Sequence, residues 1–125
     1  GEIIYTRPLN EVPRATWHRN TGSIAIALCC CYNARPDDLG EYPPTEAQIE
    51  TLAKMFAVIS EVFDNPIDRE HFMTHGEAAN DDGYGLYSGD PDCRWDLEQL
   101  CDQDEIGTGG DILRGKAQWY LENGV

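Results

Sequence analysis

Apolar residues recur along this chain with different spacings, and each spacing predicts its own element. Residues 23–31, SIAIALCCC, are nearly all apolar and lie between Gly22 and the polar residues 33–40. A short continuous run of this kind predicts a strand at the centre of a sheet, covered on both faces. Residues 2–6 carry Ile3, Ile4 and Tyr5 and predict a second strand, ended by Arg7-Pro8 because proline has no N–H for a ladder. It reads as the second arm of a hairpin. The spacing then changes to three and four at Ile49, Leu52, Phe56, Ile59 and Phe63, the apolar stripe of a helix of about four turns. Pro43-Pro44-Thr45 opens that helix, with Thr45 as N-cap, Gln48 completing a capping box and Glu46 set against the helix dipole. Asn65-Pro66 ends it. Residues 72–74 predict a short buried strand that delivers His75 at its end, followed by a loop dense in Gly, Asp and Asn. Residues 96–100 predict a short helix and residues 107–110 a flexible spacer. Asp111 then caps a last helix carrying Ile112, Leu113, Ala117, Tyr120 and Leu121, closed by Gly124. Strand, strand, long helix, strand is an α/β order, and it predicts one domain over residues 1–125.

Composition narrows what such a domain acts on. At 125 residues the chain can bury about two-thirds of its unfolded surface in one core. The formal charge is -14 with only 9 Lys and Arg. That argues against nucleic acid and anionic membranes as partners, since both reward phosphate neutralisation. No stretch approaches the ~20 apolar residues of a membrane span, and the opening GEIIYTRPLN lacks the basic-then-apolar layout of a secretory signal. Five cysteines, with Cys29, Cys30 and Cys31 consecutive and Cys93 and Cys101 apart, make a poor disulfide framework. They are expected to be reduced, with the consecutive three at least partly buried. Adjacent strand residues point to opposite faces, which disfavours a metal site built from those three.

Candidate chemistry concentrates in residues 72–97, FMTHGEAANDDGYGLYSGDPDCRWDL. A histidine at a strand end facing a loop carboxylate suits a zinc site that keeps one position open to water. His75 and Asp90 are the candidate ligands, Asp90 being held on a backbone stiffened by Pro91. Asp96 competes for the second place, although its position before residues 97–100 suits an N-cap. Glu77, two residues past His75, points the same way on an extended chain and would orient the site from behind the ligands. Residues 10–22 are irregular and predict a surface loop in which Trp17 and His18 face a ligand. A calcium loop with Gly83 sixth would have Ala78 first and Gly89 last, where acidic ligands are required. GTGGD at residues 107–111 lacks the strand and the lysine of a phosphate-binding loop.

NTGSIAIAL at residues 20–28, PPTEAQIETLAKMFAVI at 43–59, MTHGEAA at 73–79 and SGDPDCRWDL at 88–97 stand in that order. Together they resemble the zinc-dependent N-acetylmuramoyl-L-alanine amidases of the type 2 amidase and peptidoglycan-recognition superfamily, which includes phage lysins. The resemblance implies a central mixed β-sheet flanked by helices, a Zn2+ cofactor and a peptidoglycan substrate at the bacterial cell wall. The reaction it implies is cleavage of the amide between the lactyl group of muramic acid and L-alanine of the stem peptide. It implies His75 as the second zinc histidine and Asp90 as the last ligand, with Asn20 and Ser23 beside a substrate groove near Trp17 and His18. Three positions depart from the family's pattern. Its first zinc histidine sits on an early strand that has no counterpart before residues 2–6, so that ligand is expected from His18 or from a preceding or separate segment. Ser88 stands where many members carry a catalytic lysine, which leaves Arg94 as the cation for an oxyanion, and Ala27 stands where some place a glutamate. The alternative is a non-catalytic peptidoglycan-binding module of the same fold.

Overall fold

The computed structural model describes residues 1–125 and holds three helices, α1 (Glu46–Phe63), α2 (His75–Asp82) and α3 (Gly109–Asn123), and no sheet. Bridges of the strand type are limited to two isolated ones, Arg35 with Asp38 and Gly85 with Arg94. The expected α/β fold with a central mixed β-sheet is therefore overturned, and residues 23–31 show why. Ile26 and Leu28 turn onto the helices while Ala25, Ala27 and Cys29 stay exposed, the alternation of a strand. What the segment lacks is a neighbour. Its links to the rest of the chain include the Cys31 N–H to the Tyr42 carbonyl and the Gln48 amide to the Cys29 carbonyl, and they form no ladder. Extended backbone becomes a strand only when another strand takes up its donors and acceptors. Residues 2–6 are without regular structure and exposed, also without a partner strand.

α1 forms where its sequence pattern places it. Thr45 Oγ1 accepts the Gln48 N–H and the Gln48 side chain accepts the Thr45 N–H, which closes the capping box. Asp64, left-handed at φ 53, ends the helix before Asn65-Pro66. The apolar stripe meets α3, where a sheet was expected. Leu52, Leu100 and Leu113 make the centre of the core, with Ile26, Leu28, Ile49, Phe56, Leu97 and Ile112 packed around them. At the rim Glu50 of α1 accepts from the Tyr120 hydroxyl at 2.6 Å and from the Lys116 ammonium of α3.

α2 stands where a strand end and a loop were expected. Thr74 and Glu77 form a second capping box: Thr74 Oγ1 accepts the Glu77 N–H at 3.1 Å, and the Glu77 carboxylate accepts the Thr74 N–H at 2.9 Å. Ala78 and Ala79 bury one face, and Gly83 takes the left-handed C-terminal position at φ 85 that glycine adopts without strain. The helix is fastened to α3 by an ion pair in which Arg114 reaches the two Glu77 oxygens at 2.8 and 2.7 Å. Both side chains are only 9 % exposed. A Cβ on Gly110 would strike that carboxylate, so Gly109 and Gly110 are the closely packed first turn of α3 rather than part of a flexible spacer. Asp111 pairs with Arg114 from within that turn, and the N-cap position falls to Thr108. Residues 96–100 form a turn instead of a short helix.

The chain exposes 8298 Å², against about 6,700 Å² for a compact monomer of this mass. Residues 1–43 are the least covered part, with Leu39 the one buried residue. The consecutive cysteines are covered only in part, Cys29 being exposed and Cys30 and Cys31 half-buried. Burial, with Cys31 beside it, pushes the Cys30 thiol up to about 12.

Candidate functional site

An open cleft of about 490 Å³ lies where the N-terminal loop meets the end of α2 and the turn that follows it. Trp17, His75, Asp90 and Arg94, all singled out in the sequence, line it together with Ala15, Asp82, Gly83, Tyr84 and Asp92. Arg19 fastens the loop in place, reaching the Asp82 carboxylate at 2.6 and 2.8 Å. The same guanidinium holds the Asp82 carboxyl below the usual carboxylate range.

His75 is the first residue of α2, so the capping box that starts the helix also sets the imidazole. Its Nδ1 lies 2.9 Å from Asp96 Oδ2. The Asp96 main-chain carbonyl accepts the Gly76 N–H at 3.1 Å, which docks the 95–98 turn against the helix start. The hydrogen bond from His75 holds the Asp96 carboxyl below its ordinary range. Asp96 therefore caps no helix and faces the histidine instead. Asp90 is exposed on a turn of its own, its Oδ1 accepting the Asp92 N–H at 2.8 Å. Arg94 is carried by a main-chain hydrogen bond to the Tyr84 carbonyl at 3.0 Å. Unlike Arg19, Arg69 and Arg114, it enters no ion pair with a carboxylate.

Three of the expected residues are used elsewhere. Glu77 turns into the α2–α3 contact, because residues two apart on a helix are separated by about 200° around the axis and cannot share a face. On the extended chain expected here it would have pointed with His75. His18, at φ 60, stands edge-on against Trp17 with ring centroids 3.8 Å apart and is not a wall of the cleft. The Asn20 side chain accepts the N–H groups of Ala15 and Thr16 at 2.9 and 2.8 Å, so it shapes the loop that carries Trp17.

Tyr84 belongs to the site and was not singled out. Its ring stands edge-on to both Trp17 and His75, with centroids 5.8 and 6.3 Å away. Its hydroxyl is buried without a partner, and burial raises its pKa. The signal available in the sequence was an aromatic residue set in the otherwise polar stretch DDGYG.

An imidazole and a carboxylate are donors that zinc accepts, and His75 and Asp90 face one cleft. No three His, Cys, Asp or Glu side chains converge closely enough to hold an ion. The donor chemistry fits zinc, while the number falls short of the three protein ligands a catalytic site uses. No protein-family model, curated protein or solved structure matches the chain.

Proposed function

We propose that the chain is a peptidoglycan amidase module that hydrolyses the amide between the lactyl group of muramic acid and L-alanine of the stem peptide. The observation that supports this reading is convergence: Trp17, from the N-terminal loop, lines one cleft with His75, Asp90 and Arg94 of the 72–97 stretch. His75 and Asp90 are the residues to hold zinc, with a third donor supplied by a further segment. Zinc bound there would polarise the scissile carbonyl and lower the pKa of its water. Arg94, free of any carboxylate partner, is the cation to meet charge developing on the carbonyl oxygen. Trp17, 63 % exposed, offers a flat apolar face to the sugar or the peptide.

The test is release of stem peptide from purified cell walls, with and without a chelator. With two donors, zinc binds weakly, so residues 1–125 alone are expected to release little, and joining a histidine-bearing segment before Gly1 is expected to raise release. That gain should disappear in His75→Ala and in Asp90→Ala. Robust chelator-sensitive release by residues 1–125, abolished in His18→Ala, would instead make His18 the third ligand. The non-catalytic reading is favoured by one observation, the lack of three converging donors. It predicts cell-wall binding that Trp17→Ala weakens, and no release in any form of the chain.

A further inference from the structure

The two ring nitrogens of His75 stand in different surroundings. Nδ1 is engaged by Asp96 Oδ2 at 2.9 Å, while Nε2 has no hydrogen-bond partner in the chain. His75 is a wall of the cleft and Asp96 is not. The Asp96 main-chain carbonyl takes the Gly76 N–H, one of the donors that the first turn of α2 leaves without a helical partner. The Glu98 N–H closes the turn on the Trp95 carbonyl at 3.1 Å. Leu97 sits in that turn in the left-handed conformation at φ 61, a strained position for a leucine. The side chain of Asp96 thus meets His75 and its backbone meets Gly76, adjacent residues at the start of α2, from within the strained turn.

An ionised carboxylate only accepts, so the proton of a neutral ring belongs on Nδ1. We infer that Asp96 is a positioning residue that holds His75 in the Nδ1–H tautomer and leaves the Nε2 lone pair free for the cleft, to take a proton or to bind a cation. The inference rests on the His75–Asp96 geometry and stands apart from the amidase reading.

The experiment is a long-range proton–nitrogen correlation on chain labelled with ¹⁵N-histidine, the His75 ring assigned by its loss in His75→Gln. It is run about two pH units above the ordinary imidazole pKa of about 6.5. The Nδ1–H tautomer is expected in the wild type. Asp96→Ala and Asp96→Asn are both expected to move the ring toward the Nε2–H form that free histidine prefers, the first by removing the acceptor and the second because the Asn amide N–H can donate to an unprotonated Nδ1. Should Asp96→Ala not fold, the wild type and Asp96→Asn still decide. Zinc titration adds a second readout: Asp96→Ala and Asp96→Asn are each expected to weaken binding about 10- to 100-fold, as loss of a residue behind a ligand does. An Nε2–H ring in the wild type overturns the inference, as does an unchanged tautomer in folded Asp96→Ala. Zinc binding lost in Asp96→Asn as completely as in His75→Gln overturns it too, by making Asp96 a ligand. No zinc binding by the wild type, with the Nδ1–H tautomer present, supports the inference and counts against the amidase reading alone.

Discussion

Residues 1–43 and residues 44–125 hold apolar residues in similar proportion, yet 20 of the 21 buried residues belong to the second part. The difference lies in how each part satisfies its backbone. The amphipathic run of α1 closes its own hydrogen bonds within one segment, so its apolar stripe is free to pack as soon as a second helix is present. The richer apolar run SIAIALCCC is strand-like, and a strand's donors and acceptors need another strand. Without one it lies over the helices as a half-covered strap, held by Ile26 and Leu28. An apolar run states what a segment could bury, and the hydrogen-bonding partner decides whether it does.

The comparison breaks most visibly if the helical part is cut at its charged centre. Arg114→Ala leaves the Glu77 carboxylate nine-tenths buried with its main partner gone. Breaking a buried pair from one side costs about 3–5 kcal/mol. Leu113, fully buried in the core, gives about 2–5 kcal/mol on truncation to alanine. Urea unfolding followed by helix circular dichroism measures both. A loss below about 1 kcal/mol for Arg114→Ala would mean that water reaches the pair, as it does for exposed salt bridges.

α2 ranks next. Thr74→Ala removes the side chain that accepts the Glu77 N–H, an N-cap loss worth about 1 kcal/mol. Because the cap starts α2, the amide exchange protection of Gly76 and Glu77 should fall more than that of α1. Equal loss across both helices would show that α2 does not open by itself.

How far the sequence was legible follows the same division. α1, its capping box and its stop at Asn65-Pro66 were readable because every signal is local. The Thr74-x-x-Glu77 box was equally local, and it was masked by the Gly, Asn and Asp that follow, residues that serve a capped eight-residue helix as readily as a loop. Taking His75 for a strand end then placed Glu77 on the wrong face. The sheet was misread for a different reason: residues 2–6 and 23–31 have strand patterns, and pairing is a property of two segments that neither one records. His75, Asp90 and Trp17 were singled out from the residues themselves and Arg94 through the family resemblance; the cleft brings these four together and leaves out Glu77, His18 and Asn20. The Asp96 contact depends on a left-handed leucine, a conformation that no propensity favours.

A smaller effect tests Glu98, which is 7 % exposed and joined to Asn80 at 3.3 Å. Burial, with Glu77 nearby, pushes its carboxyl above the ordinary range. A carboxyl whose folded pKa is raised gives its full stability below the unfolded pKa of about 4.3 and loses it as pH rises through the folded value. Glu98→Gln is therefore expected to be more stable than the wild type at pH 7, by less than the Thr74→Ala loss, with the gain vanishing near pH 4. Asp81 and Asp82, held low by Arg69 and Arg19, act in the opposite sense and destabilise both proteins as pH falls below their ordinary range. Melting curves at the two pH values separate the contributions, and a Glu98→Gln gain that persists in acid would contradict this origin.

The smallest effect belongs to the most exposed apolar residues. Ile3, Ile4 and Tyr5 are 60, 72 and 70 % exposed, so truncating them removes little buried area and leaves almost no cavity. Each of the three changes to Ser is expected to shift stability by no more than about 0.5 kcal/mol, the range of a single surface substitution, despite deleting a strand-forming side chain. The same three changes at Leu52, Leu100 and Leu113 would abolish folding, since those residues are the centre of the core. Thermal unfolding of each N-terminal variant measures the difference. A loss above about 1 kcal/mol in any of them lies beyond that surface range. It would show that residues 2–6 bury their side chains in solution, and that this segment and the helices share more of one core than their exposures indicate.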